Sequence, residues 1–166
     1  MQRNAASELF KSVSNMKLID FIVCDDIRQE VGGKVTLVGV YEDRIMINAP
    51  SPDAVRWPAK LKLGFFIRLL NDGSAPEMDS FDLQVLCNKK IICRLSGPLQ
   101  ATPRKGLMNL FFVNSAVRFP AEGRLRVALI FKKAEEIVHE IRPDLSIRVA
   151  VAVPTTVPPP PQVTRH

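Results

Sequence analysis

Along the chain, apolar and polar residues alternate with period two over long stretches. In "KLKLGFFIRLL", Leu61, Leu63, Phe65, Ile67 and Leu69 fall on one face, and Lys60, Lys62, Gly64, Phe66 and Arg68 fall on the other. Successive side chains of an extended chain point to opposite sides, so this stretch predicts a half-buried strand. The run "FDLQVLC" sets Phe81, Leu83, Val85 and Cys87 against Asp82 and Gln84; after "NKK", "IICRL" places Ile91, Cys93 and Leu95 on one side. Two such runs around a short polar link predict a β-hairpin. Further on, "RLRVALIF" directs Leu125, Val127, Leu129 and Phe131 inward with Arg124 and Arg126 outward, and "LSIRV" does the same with Leu145, Ile147 and Val149 against Ser146 and Arg148.

Four more segments carry strand character: residues 17–24, 35–41, 43–47, and 107–119, where the phase of alternation shifts partway and predicts a bulge. The turn "PAEG" at 120–123 joins the last of these to "RLRVALIF". "KKAEEIVHEI" reads either as a hairpin turn leading into a strand or as a short helix, and its setting among strands favours the former. About eight strands on short connections predict an all-β, antiparallel β-sandwich of immunoglobulin-like type over residues 17–153.

The two ends differ from this body. In residues 1–16, Leu9, Phe10, Val13 and Met16 recur at helical spacing, with Asn4 or Ser7 as cap, which predicts a short amphipathic helix. In residues 154–166, consecutive prolines from Pro158 to Pro161 remove backbone donors and favour extended polyproline II, and Val157 and Val163 offer little to bury. This predicts a disordered Pro-rich tail, which is also a minimal ligand for an aromatic-lined groove.

Composition narrows the class. With 46% hydrophobic residues, 166 residues build one sizeable core. No apolar run approaches a membrane span and the first residues lack a secretory signal core, so the expectation is a cytoplasmic protein with no membrane partner. Cys24, Cys87 and Cys93 are too few for a disulfide framework and sit in apolar stretches, as packed reduced thiols do. A net charge of +6 permits attraction to anionic partners without requiring it.

The stretch "VCDDIRQEVGGKVTLVGVY" gathers Asp25, Asp26 and Glu30 where strand character ends near Cys24 and resumes at Val35. Carboxylates at a strand end accept hydrogen bonds from turn amides, and Gly32 and Gly33 admit unusual backbone angles, so these acids read as turn chemistry. Adjacent aspartates on an extended chain point apart, which disfavours paired-carboxylate catalysis, and the spacing is not that of a calcium loop. The run with Phe21, Cys24, Asp25, Asp26, Arg28, Glu30, Gly33, Lys34, Leu37, Gly39 and Tyr41 resembles the opening of a family of small bacterial proteins known only as a domain of unknown function. Its later "FPAEGRLRVAL" is similar to that family's closing hairpin. The resemblance covers the body and implies a β-sandwich with no assigned activity.

Other chemistry is weakly represented. Cys87 and Cys93 with Cys24 and His139 lack the Cys-x-x-Cys knuckle that nucleates zinc. No Gly-x-Ser-x-Gly elbow occurs, and "EVGGKVT" lacks the spacing of a phosphate loop. The solvent phase of the strands is basic, with Lys60, Lys62, Arg68, Lys90, Arg94, Arg124, Arg126 and Arg148; if several of these strands share a sheet, they form a face for phosphates. Lysine and arginine on outer positions also simply cover and protect a sheet. The sequence therefore predicts no enzyme, cofactor, metal or small-molecule substrate. It predicts a noncatalytic module for a protein partner or self-association, with anionic polymer binding through Lys60, Lys62, Arg68, Arg124, Arg126 and Arg148 as the alternative.

Overall fold

A computed structural model describes residues 16–99 and 105–154. The helix expected over residues 1–16 and the tail expected over 154–166 lie outside the described residues except for Met16, which is buried and opens the first strand rather than closing a helix, and Pro154. Among the described residues no helix is long and apolar enough to cross a membrane.

Ten strands make up the body: β1 (Met16–Gln29), β2 (Val35–Tyr41), β3 (Arg44–Asn48), β4 (Ala59–Asn71), β5 (Ser80–Cys87), β6 (Lys90–Pro98), β7 (Gly106–Phe119), β8 (Gly123–Lys133), β9 (Glu136–Ile141) and β10 (Arg148–Ala152). They form two sheets. A four-stranded sheet runs β2-β1-β4-β7, and a six-stranded sheet runs β3-β10-β8-β5-β6 with β9 also on β8. All pairs are antiparallel except β10 with β3.

The core lies between the sheets and is built from the predicted inward residues. Leu63, Phe65, Ile67 and Leu69 of β4 face Leu83 and Val85 of β5 and Leu125, Leu129 and Phe131 of β8, all fully buried. Phe119 at the end of β7 and Ile45 of β3 complete it. The phase shift in 107–119 is a bulge: Leu61 pairs with Val117 but Leu63 with Asn114, so β7 carries one extra residue there.

Several expectations are corrected. β1 does not stop near Cys24; β2 pairs with it out to Gln29, which places Asp25 and Asp26 inside a strand and only Glu30 at the turn. A second bulge, on β6, pairs Val85 with Cys93 but Leu86 with Ile91, so Ile91 turns outward to 49% exposure and Ile92 packs on the core instead. In "LSIRV" the strand begins only at Arg148, although Ile147 is already buried and its carbonyl accepts from the Leu125 amide at 2.9 Å. "KKAEEIVHEI", by contrast, is the hairpin that its setting predicts: Ala134 and Glu135 adopt left-handed angles (φ 49° and 69°), and the Asp79 carboxylate accepts from the Ala134 amide at 2.7 Å.

Candidate functional site

The acids of the quoted stretch are each engaged by a neighbour. Asp25 of β1 accepts a hydrogen bond from the hydroxyl of Tyr41 on β2, so burial first and the carboxylate second raise the Tyr41 pKa. Gly39 (φ 64°) makes room for it, since a Cβ there would stand 2.0 Å from Asp25 Oδ2. Asp26 projects from the opposite side of β1, 2.7 Å from Lys62 Nζ and 3.8 Å from Arg28 Nε. The Lys62 hydrogen bond holds its carboxyl below the ordinary value. Glu30 accepts from the Thr36 hydroxyl across the hairpin. Asp25, Asp26, Glu30, Gly39 and Tyr41 thus lock β1 to β2 and β4.

The thiols stand apart from one another. Cys24 lies in the four-stranded sheet, where its Sγ donates to the Asp26 carbonyl at 3.3 Å. Cys87 is on β5, and Cys93 on β6 accepts from Asn114 Nδ2 at 3.1 Å. Burial raises all three pKa values. His139 stacks on Phe131 with ring centroids 6.2 Å apart, and burial lowers its pKa. Among the described residues no group of three or more His, Cys, Asp or Glu is placed to hold a metal ion.

The basic positions divide between the two sheets. Lys60, Lys62 and Arg68 stand on β4; Arg124 and Arg126 stand on β8 and Arg148 on β10. A single face made of all six does not form. Lys62 is paired with Asp26, and Arg68 pairs with Asp20 at 3.2 Å while lying 5.5 Å from the Phe66 ring centroid. Arg94 of β6 is bound to the buried Asp82 through Nε contacts of 2.8 and 2.9 Å, which hold the Asp82 carboxyl below its ordinary value.

Two arrangements emerge, the first not read from the sequence and the second read only in part, without Arg44. On the outer face of the four-stranded sheet, register aligns Ile22, Phe66 and Phe111 in one row and Val40, Cys24, Gly64 and Val113 in the next. Gly64 has no side chain because Cys24 Sγ and Ile27 Cγ1 each lie 2.9 Å from where its Cβ would be. The two rows form an apolar stripe across all four strands, bordered by the Asp20–Arg68 and Asp26–Lys62 pairs. On the six-stranded sheet, Arg44, Arg148 and Arg124 are register partners on β3, β10 and β8.

No protein family matches this chain, and no curated protein matches it.

Proposed function

We propose that this protein is a noncatalytic binding module that assembles with a second copy of itself through the outer face of its four-stranded sheet. The apolar stripe carries the reading. Apolar surface rimmed by polar groups marks interaction sites; here the exposed members, Val40 and Val113, sit at opposite ends of one row, Ile22 and Phe111 are half-buried, and Cys24, Gly64 and Phe66 form the closely packed floor between them. Closed dimers use one self-complementary patch. A two-fold axis parallel to the strands, midway between β1 and β4, lays Ile22 of one copy over Phe66 of the other and Val40 over Val113. The same axis brings Asp20 over Arg68 and Asp26 over Lys62, so both borders meet opposite charge.

A noncatalytic role is supported by the engagement of each candidate acid in a strand-to-strand contact and by the burial of all three thiols. Free buried thiols also favour a reducing, cytoplasmic setting. The immunoglobulin-like assignment of the sandwich rests on its central pairings. With β1, β4 and β7 taken as strands A, B and E, and β5, β8 and β9 as C, F and G, the neighbours run A-B-E and C-F-G.

The test is light scattering after gel filtration over a concentration series. The expected result is a dimer that dissociates on dilution, while Val40→Lys and Val113→Lys are folded monomers at the same concentration. A chain that stays monomeric at high micromolar concentration would refute the reading.

A further inference from the structure

We infer that the outer face of the six-stranded sheet binds the phosphate backbone of duplex nucleic acid through Arg44, Arg148, Arg124 and Arg126. Arg148 of β10 is the register partner of both Arg44 on β3 and Arg124 on β8, so three arginines stand side by side on adjacent strands. Arg126 follows two positions along β8 and faces the same way. All four are exposed, while Ile45, Leu125, Val127 and Val149 between them are buried.

A purely structural sheet face does not favour this arrangement. Like charges directly opposite each other across strands oppose pairing, and here two such juxtapositions are consecutive. The local counter-charge is modest: Asp43 lies 3.3 Å from Arg44 and Asp144 lies 3.4 Å from Arg124, and these carboxylates are themselves well exposed. Among the described residues neither Arg126 nor Arg148 has an ion-pair partner. The Arg124 guanidinium is partly held by the Leu145 carbonyl at 3.1 Å, which fixes its head beside the row.

The shape of the row selects the ligand. Adjacent strands lie ~4.8 Å apart, so Arg44 to Arg124 spans ~10 Å, and Arg126 adds ~7 Å along the strand. One phosphate group cannot reach four guanidinium groups spread so far, whereas a duplex presents a charge on each strand for about every 3.4 Å of helix axis. A single strand would bind by stacking its bases on aromatic rings. The neighbours of the row on this face, among them Leu86, Ala128, Ala150 and Met46, offer none. The site lies on the opposite side of the molecule from the apolar stripe and stands independently of the dimer reading.

Fluorescence anisotropy of a short labelled DNA duplex with the full chain tests the inference, with an RNA duplex of the same sequence and the single strand as further arms. Three to four neutralised phosphates give a slope of log K against log salt between about −2.7 and −3.6, a loss of about 40- to 150-fold in affinity from 50 to 200 mM salt. Arg44→Ala with Arg148→Ala should reduce the slope by about 2, whereas Lys60→Ala with Arg68→Ala should leave it unchanged. Equal binding of both duplexes supports recognition of phosphate alone, and preference for one names the natural source. No duplex binding at low salt, a slope untouched by the Arg44/Arg148 change, or tighter binding of the single strand would overturn it. Thermal melting at low salt supplies a second readout: the double variant should melt no lower than the parent, because two like-charge contacts are gone. A lower melting temperature would show that these arginines hold the sheet together and would overturn the premise.

Discussion

Gly39→Ala is the substitution whose outcome the geometry of β1 and β2 determines most closely. Gly39 holds φ at 64°, where an alanine costs about 1–2 kcal/mol. Its new Cβ would also stand 2.0 Å from Asp25 Oδ2 and 2.7 Å from Asp25 Cγ, so the carboxylate must swing away and release the Tyr41 hydroxyl. A hydrogen bond to a charged group contributes about 1.5–3 kcal/mol, and solvent around this edge reduces it to about 1. The expected total is about 2–3 kcal/mol. In an Asp25→Ala background the carboxylate and its bond are already absent, so the same glycine change should cost only about 1–2 kcal/mol, a coupling of about 1 kcal/mol. Equilibrium urea unfolding of the four proteins of this cycle measures each value. An equal cost for Gly39→Ala in both backgrounds would refute the account of Gly39 as the seat of the Asp25 side chain.

Two further outcomes follow from burial. The His139 pKa is lowered on folding, so the neutral ring stabilises the native state above its unfolded value near 6.5 and that contribution is lost as pH falls through the folded value. Stability measured by urea unfolding should therefore decline on acidification from pH ~7 to ~5, and His139→Leu should flatten that decline; an unchanged slope would contradict it. The thiols of Cys24, Cys87 and Cys93 are buried with raised pKa values, so a thiol-reactive dye should label none of them in the native protein and all three in denaturant. Rapid native labelling of any one would show that its strand opens readily.

Much of this architecture is legible in the alternation of the chain, and its exceptions are instructive. The inward residues of β4 and β8 are the ones their period predicts, because burial acts on every second side chain whatever the neighbouring strand is. Asp25 and Asp26 read as a turn because aspartate is depleted from strands; partners distant in sequence, Tyr41 and Lys62, hold them in one. The left-handed pairs Asn88-Lys89 and Ala134-Glu135 close hairpins without glycine, so those hairpins are legible only in the alternation of the strands that flank them. Neither surface proposed for binding could be read in full from local pattern, although Arg124, Arg126 and Arg148 stand out as outward positions of their strands. The apolar stripe joins residues of four strands, and Arg44 belongs to a row only because β3 lies beside β10, a pairing that depends on register and sheet membership.

That pairing between β3 and β10 also sets an order of events during synthesis. β3 leaves the ribosome early, while its partner among the described strands, β10, is made about a hundred residues later. The four-stranded sheet can close once β7 has emerged, and the hairpins of the other sheet can form as they appear. Until β10 arrives, β3 presents an open edge with Ile45 and Ile47 uncovered, the condition under which nascent strands join the wrong neighbour. Closure then waits on the most non-local strand pairing among the described residues, which slows that step relative to the rest. The charge of Arg44 at the start of that waiting edge discourages premature pairing with another chain, so one arginine guards the strand before β10 covers it.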